Sequence, residues 1–356
     1  MKKIKIFTHS AVLTVAILFS AYTFVAGNVL TVCNNSISAG QYTSLATAIS
    51  AANAGDTIYV MGSAFDYGST TISKQITLIG AGYNPTGTQF GSNTTISNIT
   101  LKVNGSASAA GTRIMGVYST NITSDDTNER NVTISRCAVT GTITIIGTNW
   151  LVENCVAGNI SLDDNFYGHL GLPVACIISN NLIINNTGSN GSYGININGA
   201  NVLINHNIIE GQVYEMSYTV ISNNIFFHGN QSASTSCTFD DFNNNITVNS
   251  PKDSIPYGSN SGANNIYNPS TLFVSGPSSG QTYPALLNYN WALSASSPGH
   301  SAATDGTDIG IYGGSTPMPN MTGATTLPQL TYLNVNNAVT PVGGKLNINF
   351  KARTQN

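Results

Sequence analysis

The chain is poor in charge. Of its 356 residues, 12 are Lys or Arg and 15 are Asp or Glu, so 8% are charged and the formal net charge is −3. So few cations leave no basic stripe, which argues against nucleic acid as a partner, because neutralising phosphates needs clustered Lys and Arg. After the first 27 residues no apolar run is long enough to span a bilayer. The five cysteines form no C-x-x-C pair and no Cys/His cluster, so no zinc signature is present. Gly80-Ala-Gly82 lacks the following G-K-S/T of a phosphate loop. Sustained helical periodicity is missing too.

What the chain does contain is a repeat. Between residues 131 and 250 six segments resemble one another: Thr133-Ile-Ser-Arg-Cys137, Leu151-Val-Glu-Asn-Cys155, Ile177-Ile-Ser-Asn-Asn181, Leu203-Ile-Asn-His-Asn207, Val220-Ile-Ser-Asn-Asn224 and Phe242-Asn-Asn-Asn-Ile246. With Arg136, Asn154, Asn180, His206, Asn223 and Asn244 as equivalents, the steps are 18, 26, 26, 17 and 21 residues. Strand-like cores with Gly/Ser/Asn joints at this spacing indicate a β-solenoid. Stacked coils lie about 4.8 Å apart, so asparagines in one column can donate upward and accept from below. Ile134, Val152, Ile178, Ile204 and Ile221 would pile into a continuous core. Charged ladders would set like charges at the same short spacing, which accounts for the low charge.

These segments, with their N-N-x-I and N-x-I-I cores, resemble the right-handed parallel β-helix proteins of the pectin-lyase-like superfamily. Tyr42 to Val60 is similar to the family's entry segment, a capping helix leading into the first coil. Ser297 to Gly314 resembles its closing segment. The likeness spans roughly residues 40 to 314 and implies an all-β solenoid with an N-terminal capping helix. It is weak for function, because the fold hosts lyases, hydrolases, adhesins and fibres.

Residues 1–27 are expected to be a secretory signal, with Lys2, Lys3 and Lys5 before the apolar stretch Ala11 to Phe19. Without it nine basic and fifteen acidic residues remain, a net charge of −6. The expected location is the periplasm, cell surface or medium, with no membrane insertion after signal removal. Residues 28–314 form the β-helix in this reading. Leu45, Ala48, Ile49 and Ala52 share one helical face that would cover the open bottom, after Thr43 or Ser44 as N-cap and before Gly55. Trp291 to Leu293 and Ile309 to Tyr312 are expected to seal the top. Residues 315–356 hold a Thr/Pro-rich connector and a β-hairpin turning at Pro341-Val-Gly-Gly344. That hairpin either lies back on the last coil or contacts an envelope protein through residues 330–350.

Cys137 and Cys155 occupy equivalent positions one coil apart, within the Cα spacing of a disulfide. Two states stay open: a disulfide in an oxidising compartment, or a pair of buried thiols. No cofactor is implied. Calcium is left open at Asp305-Gly-Thr-Asp308, where the ligand count is too low for a cage and a turn is the simpler reading.

Loops leaving equivalent points of successive coils emerge on one flank. Four excursions, at 163–173, 187–193, 210–217 and 228–236, would present Asp163, Asp164, Phe166, Tyr167, His169, Tyr193, Glu210, Tyr214, Glu215 and His228 there. Carboxylates that accept sugar hydroxyls, beside rings that stack on sugar faces, suit a polysaccharide groove. Asp240 and Asp241 form a second acidic pair. The resemblance brings two chemistries for comparison. The family's lyases pair calcium with an Arg or Lys base, and the central coils offer Arg113, Arg130, Arg136 and Lys252, none in the flank loops. Its galacturonan hydrolases use N-T-D, D-D, G-H-G and R-I-K motifs; this chain has Asp163-Asp164 and Gly168-His-Leu-Gly171 but lacks the G-H-G order and R-I-K. The Asn-x-Ser/Thr triplets at Asn98, Asn121, Asn131 and Asn245 read as chance in so Asn-rich a chain. The expectation is therefore a secreted or cell-surface scaffold that binds carbohydrate without cleaving it. The alternatives are a lyase or hydrolase acting on uronate-containing glycans, or an adhesin or surface-assembly subunit that uses the hairpin.

Overall fold

The structure is a computed structural model. It describes residues 27–35, 40–84, 92–162, 174–184, 193–227, 237–248, 255–276, 285–319, 321, 329–335 and 348–353. The expected signal segment lies outside these, Gly27 apart. Among the described residues no helix is long and apolar enough to cross a membrane.

Two long parallel sheets wind into a β-helix. The first has ten strands, from Val29–Val32 to Asp241–Asn243; the second has thirteen, from Thr70–Ile72 to Ile266–Tyr267. Parallel crossovers of this kind are right-handed. Each central coil runs a three-residue strand of the first sheet, a corner, a strand of the second, a bend, and a further stretch of the second sheet, which we call the wing. The middle residues of the first-sheet strands point inward in register: Ile114, Ile134, Val152, Ile178, Ile204, Ile221 and Phe242, all fully buried. The expected apolar stack is there. At the bend, Gly141 and Gly158 leave no room for a side chain, since a Cβ would lie 2.4 Å from Asn121 Oδ1 and 2.5 Å from Thr140 O respectively.

The amide ladder is present but shifted by one residue from its expected place. Arg136, Asn154, Asn180, His206, Asn223 and Asn244 occupy the corner itself, with φ between 52° and 61°. Asparagine tolerates that left-handed conformation better than most residues. The next residue turns inward, and there the amides stack. Asn181, Asn207, Asn224 and Asn245 each donate Nδ2–H to the Oδ1 of the following rung at 3.0–3.1 Å, ending on Asn265. Each also donates to a backbone carbonyl one coil back, for example Asn207 Nδ2 to Ile178 O at 2.8 Å. The column continues downward as Cys155 and Cys137, Cys155 N–H donating to Asn181 Oδ1 at 2.9 Å. Both cysteines are buried free thiols, and no disulfide joins them. Burial, then the neighbouring Cys137, pushes the Cys155 thiol well up.

The helix Leu45–Ala51 closes the bottom against the first strands, with Ser44 Oγ accepting from Thr47 N. The closing segment departs from expectation: instead of sealing the top, it runs down the side. A second apolar cluster outside the tube joins Ala138, Val156, Leu182, Ile208, Ile225 and Ile246 on the outer face of the second sheet to Trp291, Ala303, Ile309, Ile311 and Met318. The reason lies in strands such as Leu182–Ile184 and Ile225–Phe227, which are buried on both faces and need an outer cover. This strap is stitched to the corner residues. Asn244 Nδ2 donates to Ala302 O, Asn223 Nδ2 to Thr304 Oγ1, and Asn180 Nδ2 to Ile311 O and Gly313 O, at 2.7–3.0 Å. Near the lower end Asn84 Nδ2 donates to Met321 O at 3.0 Å. His206, 1% exposed beneath Gly313 and Gly314, lies 3.4 Å from Asp305. Beyond the strap, Gln329–Val335 pairs antiparallel with Ile348–Arg353, the expected hairpin; its turn lies outside the described residues.

Candidate functional site

Of the ten flank residues, Asp163, Asp164, Phe166, Tyr167, His169 and His228 lie outside the described residues. The other four fall on strands, not loops. Tyr193 opens the wing strand Tyr193–Ala200, and Tyr214 and Glu215 lie in its neighbour Gln212–Ser217. Tyr214 is half-buried and Glu215 exposed. Glu210 is not on the flank: it ends the strand Ile208–Glu210 at 5% exposure, paired in register with Ile184 and Phe227.

The wing carries a further feature. Its strands repeat a polar–apolar–polar triplet: Asn98-Ile-Thr100, Asn121-Ile-Thr123, Thr142-Ile-Thr144 and Asn159-Ile-Ser161. The central isoleucines point inward and are fully buried. By pleat alternation the flanking residues face outward in two parallel ranks. Register holds rung by rung, Thr100 beside Thr123, Thr123 beside Thr144, Thr144 beside Ser161, then Asn196 and Tyr214. The Asn-x-Ser/Thr triplets at Asn98 and Asn121, taken from sequence as chance, are two coils of this pattern. The one at Asn245 instead belongs to the buried ladder.

The two ranks differ in bonding. The amide rank is braced from within: Asn121 Nδ2 donates to Asn98 Oδ1 at 3.0 Å, and Thr142 N donates to Asn121 Oδ1 at 3.0 Å. Asn98 Nδ2 reaches Ser69 Oγ, and Asn159 Nδ2 reaches Gly194 O, both at 3.3 Å. The hydroxyls of Thr100, Thr123, Thr144 and Ser161 have no hydrogen-bond partner among the described residues and are all partly open to solvent. A rigid row of hydroxyls, each able to donate and accept, thus repeats at the coil spacing of about 4.8 Å with no carboxylate or cation in either rank.

No family model and no curated protein sequence matches this chain. Among solved structures it is similar to the A-module of the mannuronan C-5 epimerase AlgE4 from Azotobacter vinelandii, with 13% identity, a TM-score of 0.28, and coverage of 66% of this chain and 92% of that one. So distant a likeness carries nothing about activity.

One charged pair borders the hydroxyl rank, two residues beyond Thr100 and Thr123, where Lys102 Nζ lies 3.3 Å from Asp125 Oδ2; other charged groups lie away from the wing. On the outer face of the first sheet, Glu153 lies near Arg136 and Arg113. Burial raises its carboxyl above the usual range, and the two guanidiniums only partly offset this. Asp305 and Asp308 are consumed in turns: Asp305 Oδ1 accepts from Thr307 N and Oγ1, and Asp308 Oδ1 accepts from Ser301 N. Among the described residues no group of three or more His, Cys, Asp or Glu side chains is arranged to hold a metal.

Proposed function

We propose that this chain is a secreted or cell-surface scaffold whose wing face binds a linear, neutral polysaccharide without cleaving it. The observation that carries the reading is the in-register row of hydroxyls without protein partners. A linear glycan also repeats its hydroxyls along one axis, so each rung can exchange hydrogen bonds with a successive part of the chain. Each bond is worth little alone, about 1 kcal/mol, and the rigid array adds them with small ordering cost. Tyr214, at the top of the hydroxyl rank, supplies an aromatic surface of the kind sugars stack against.

The test is co-sedimentation with insoluble neutral β-glycans against Thr123→Val and Thr144→Val combined. Valine keeps the β-branched shape and removes the hydroxyls. Retention of the wild type and loss in the double variant, with unchanged thermal melting, supports the reading; equal retention of both contradicts it. One observation favours a second reading, catalysis on acidic glycans: the raised carboxyl of Glu153 beside Arg136 and Arg113. A rise in ultraviolet absorbance on incubation with pectin or alginate would reveal unsaturated lyase product and overturn the non-cleaving scaffold.

A further inference from the structure

We propose that two copies of this chain pair through the outer face of the first sheet, with their solenoid axes antiparallel. Among the described residues no strap covers that face, in contrast to the second sheet. The first residues of successive strands form one column in register, which rises from Val29, Thr57 and Thr77 into the seven rungs that pair on reversal, Arg113, Thr133, Leu151, Ile177, Leu203, Val220 and Asp241. Its middle is an open aliphatic stripe, with Ile177 39% and Val220 43% exposed. Contiguous apolar exposure rimmed by polar residues marks interaction sites on protein surfaces.

The column is self-complementary on reversal, which identifies the occupant as a second copy. A two-fold axis lying in the face along the Ile177 strand places Ile177 on Ile177, Leu151 on Leu203 and Thr133 on Val220. The same operation sets the Arg113 guanidinium opposite the Asp241 carboxylate at both ends. An isologous contact requires this property, the same patch serving both partners. The second outward rank agrees, Ser179 meeting itself and Glu153 meeting Asn205, so no like charges face each other. Asp241 is held in place by Ser261, whose Oγ donates to its Oδ1 at 3.2 Å.

Size sets the strength. Seven rungs extend about 29 Å and a three-residue strand about 10 Å, giving about 300 Å² of flat face per copy. A standard interface buries about 800 Å² per partner, so the pair is weak, with a dissociation constant of roughly 10–1,000 µM. The pairing face is distinct from the wing, and neither proposal depends on the other.

Sedimentation velocity of the full mature chain at low salt, from about 5 µM to about 1 mM, reads the equilibrium directly. The expected result is a monomer–dimer transition in that range. Ile177→Asp, which sets two carboxylates face to face on the axis, leaves a monomer. Arg113→Asp alone and Asp241→Arg alone each weaken pairing by about tenfold or more, and the two combined restore it. A wild-type monomer at the highest concentration overturns the proposal. So does a double exchange that stays as weak as the single changes while melting like the wild type.

Discussion

Replacing Asp240 with asparagine should stabilise the protein at neutral pH. Asp240 sits at the corner leading into the last first-sheet strand, fully buried, with Asn260 in the next coil. Its Oδ1 accepts from Thr219 N at 2.8 Å, while Oδ2 has no hydrogen-bond partner. Asn260, one rung on, uses its Nδ2 to reach Cys237 O at 3.3 Å. A protonated carboxyl or an amide can make a bond of that kind; a carboxylate cannot. Burial accordingly pushes the Asp240 carboxyl up to about 6, from 3.8. The folded state then holds its proton more tightly than the unfolded state. The stability this contributes is complete below about pH 4 and is lost as pH rises through 6. Two units correspond to about 3 kcal/mol. At pH 8, Asp240→Asn should recover that amount, raising the melting midpoint by roughly 6 °C on the scale for larger domains. Differential scanning calorimetry of both proteins between pH 4 and 8 is the assay. A variant that melts lower than wild type at pH 8, or an advantage that does not shrink on acidification, refutes the reasoning.

Asn207→Ala removes the middle of the amide ladder and strands the buried donors of Asn181, so unfolding should become easier by about 3 kcal/mol or more, measured by thermal melting. His206 behaves oppositely to Asp240. Burial lowers its pKa below 6.5, although Asp305 pulls the other way, so its contribution is present above that value and is lost as pH falls. The protection factor of the Gly310 amide, whose N–H donates to Asn223 O, should therefore fall on acidification from neutral pH in the wild type and less so in His206→Gln, once intrinsic exchange rates are divided out. Truncation after Met321 keeps the strap and removes the hairpin; if the hairpin contacts an envelope partner, the shortened protein melts normally but is shed from the cell surface. Truncation after Tyr289 uncovers Leu182, Ile208 and Ile225, and the product should aggregate, as light scattering would show.

The coil architecture was legible because inward apolar residues recur at every strand centre, from Ile134 to Phe242. The ladder was read one position early for a chemical reason. In Asn180-Asn181, Asn223-Asn224 and Asn244-Asn245 the first asparagine serves the left-handed corner and the second the stack, and residue type cannot separate the roles. Arg136-Cys137 held the clue, since an arginine suits the corner and not the interior. The strap left a trace in runs such as Leu182-Ile-Ile184, which are apolar on both faces and so imply a cover. Which segment supplies it was not readable, because Ile309-Gly-Ile311 alternates like many short strands. The wing face was spelled out in the repeated Asn-Ile-Thr, but its meaning depends on register, which fixes whether those side chains share one surface. Glu210 misled because it shares the covered outer face of the second sheet with its register partners Ile184 and Phe227, and that cover, not its charge, decided its burial.

The central claim is that a periodic row of hydroxyls recognises a periodic ligand, and calorimetric titration with neutral β-glycan oligomers of increasing length tests it most directly. Affinity should rise with each added sugar until the oligomer matches the row from Thr100 to Ser161, about 14 Å over three coil steps, and then level off. Binding that is absent at every length, or equally tight for the shortest and longest oligomers, would contradict it.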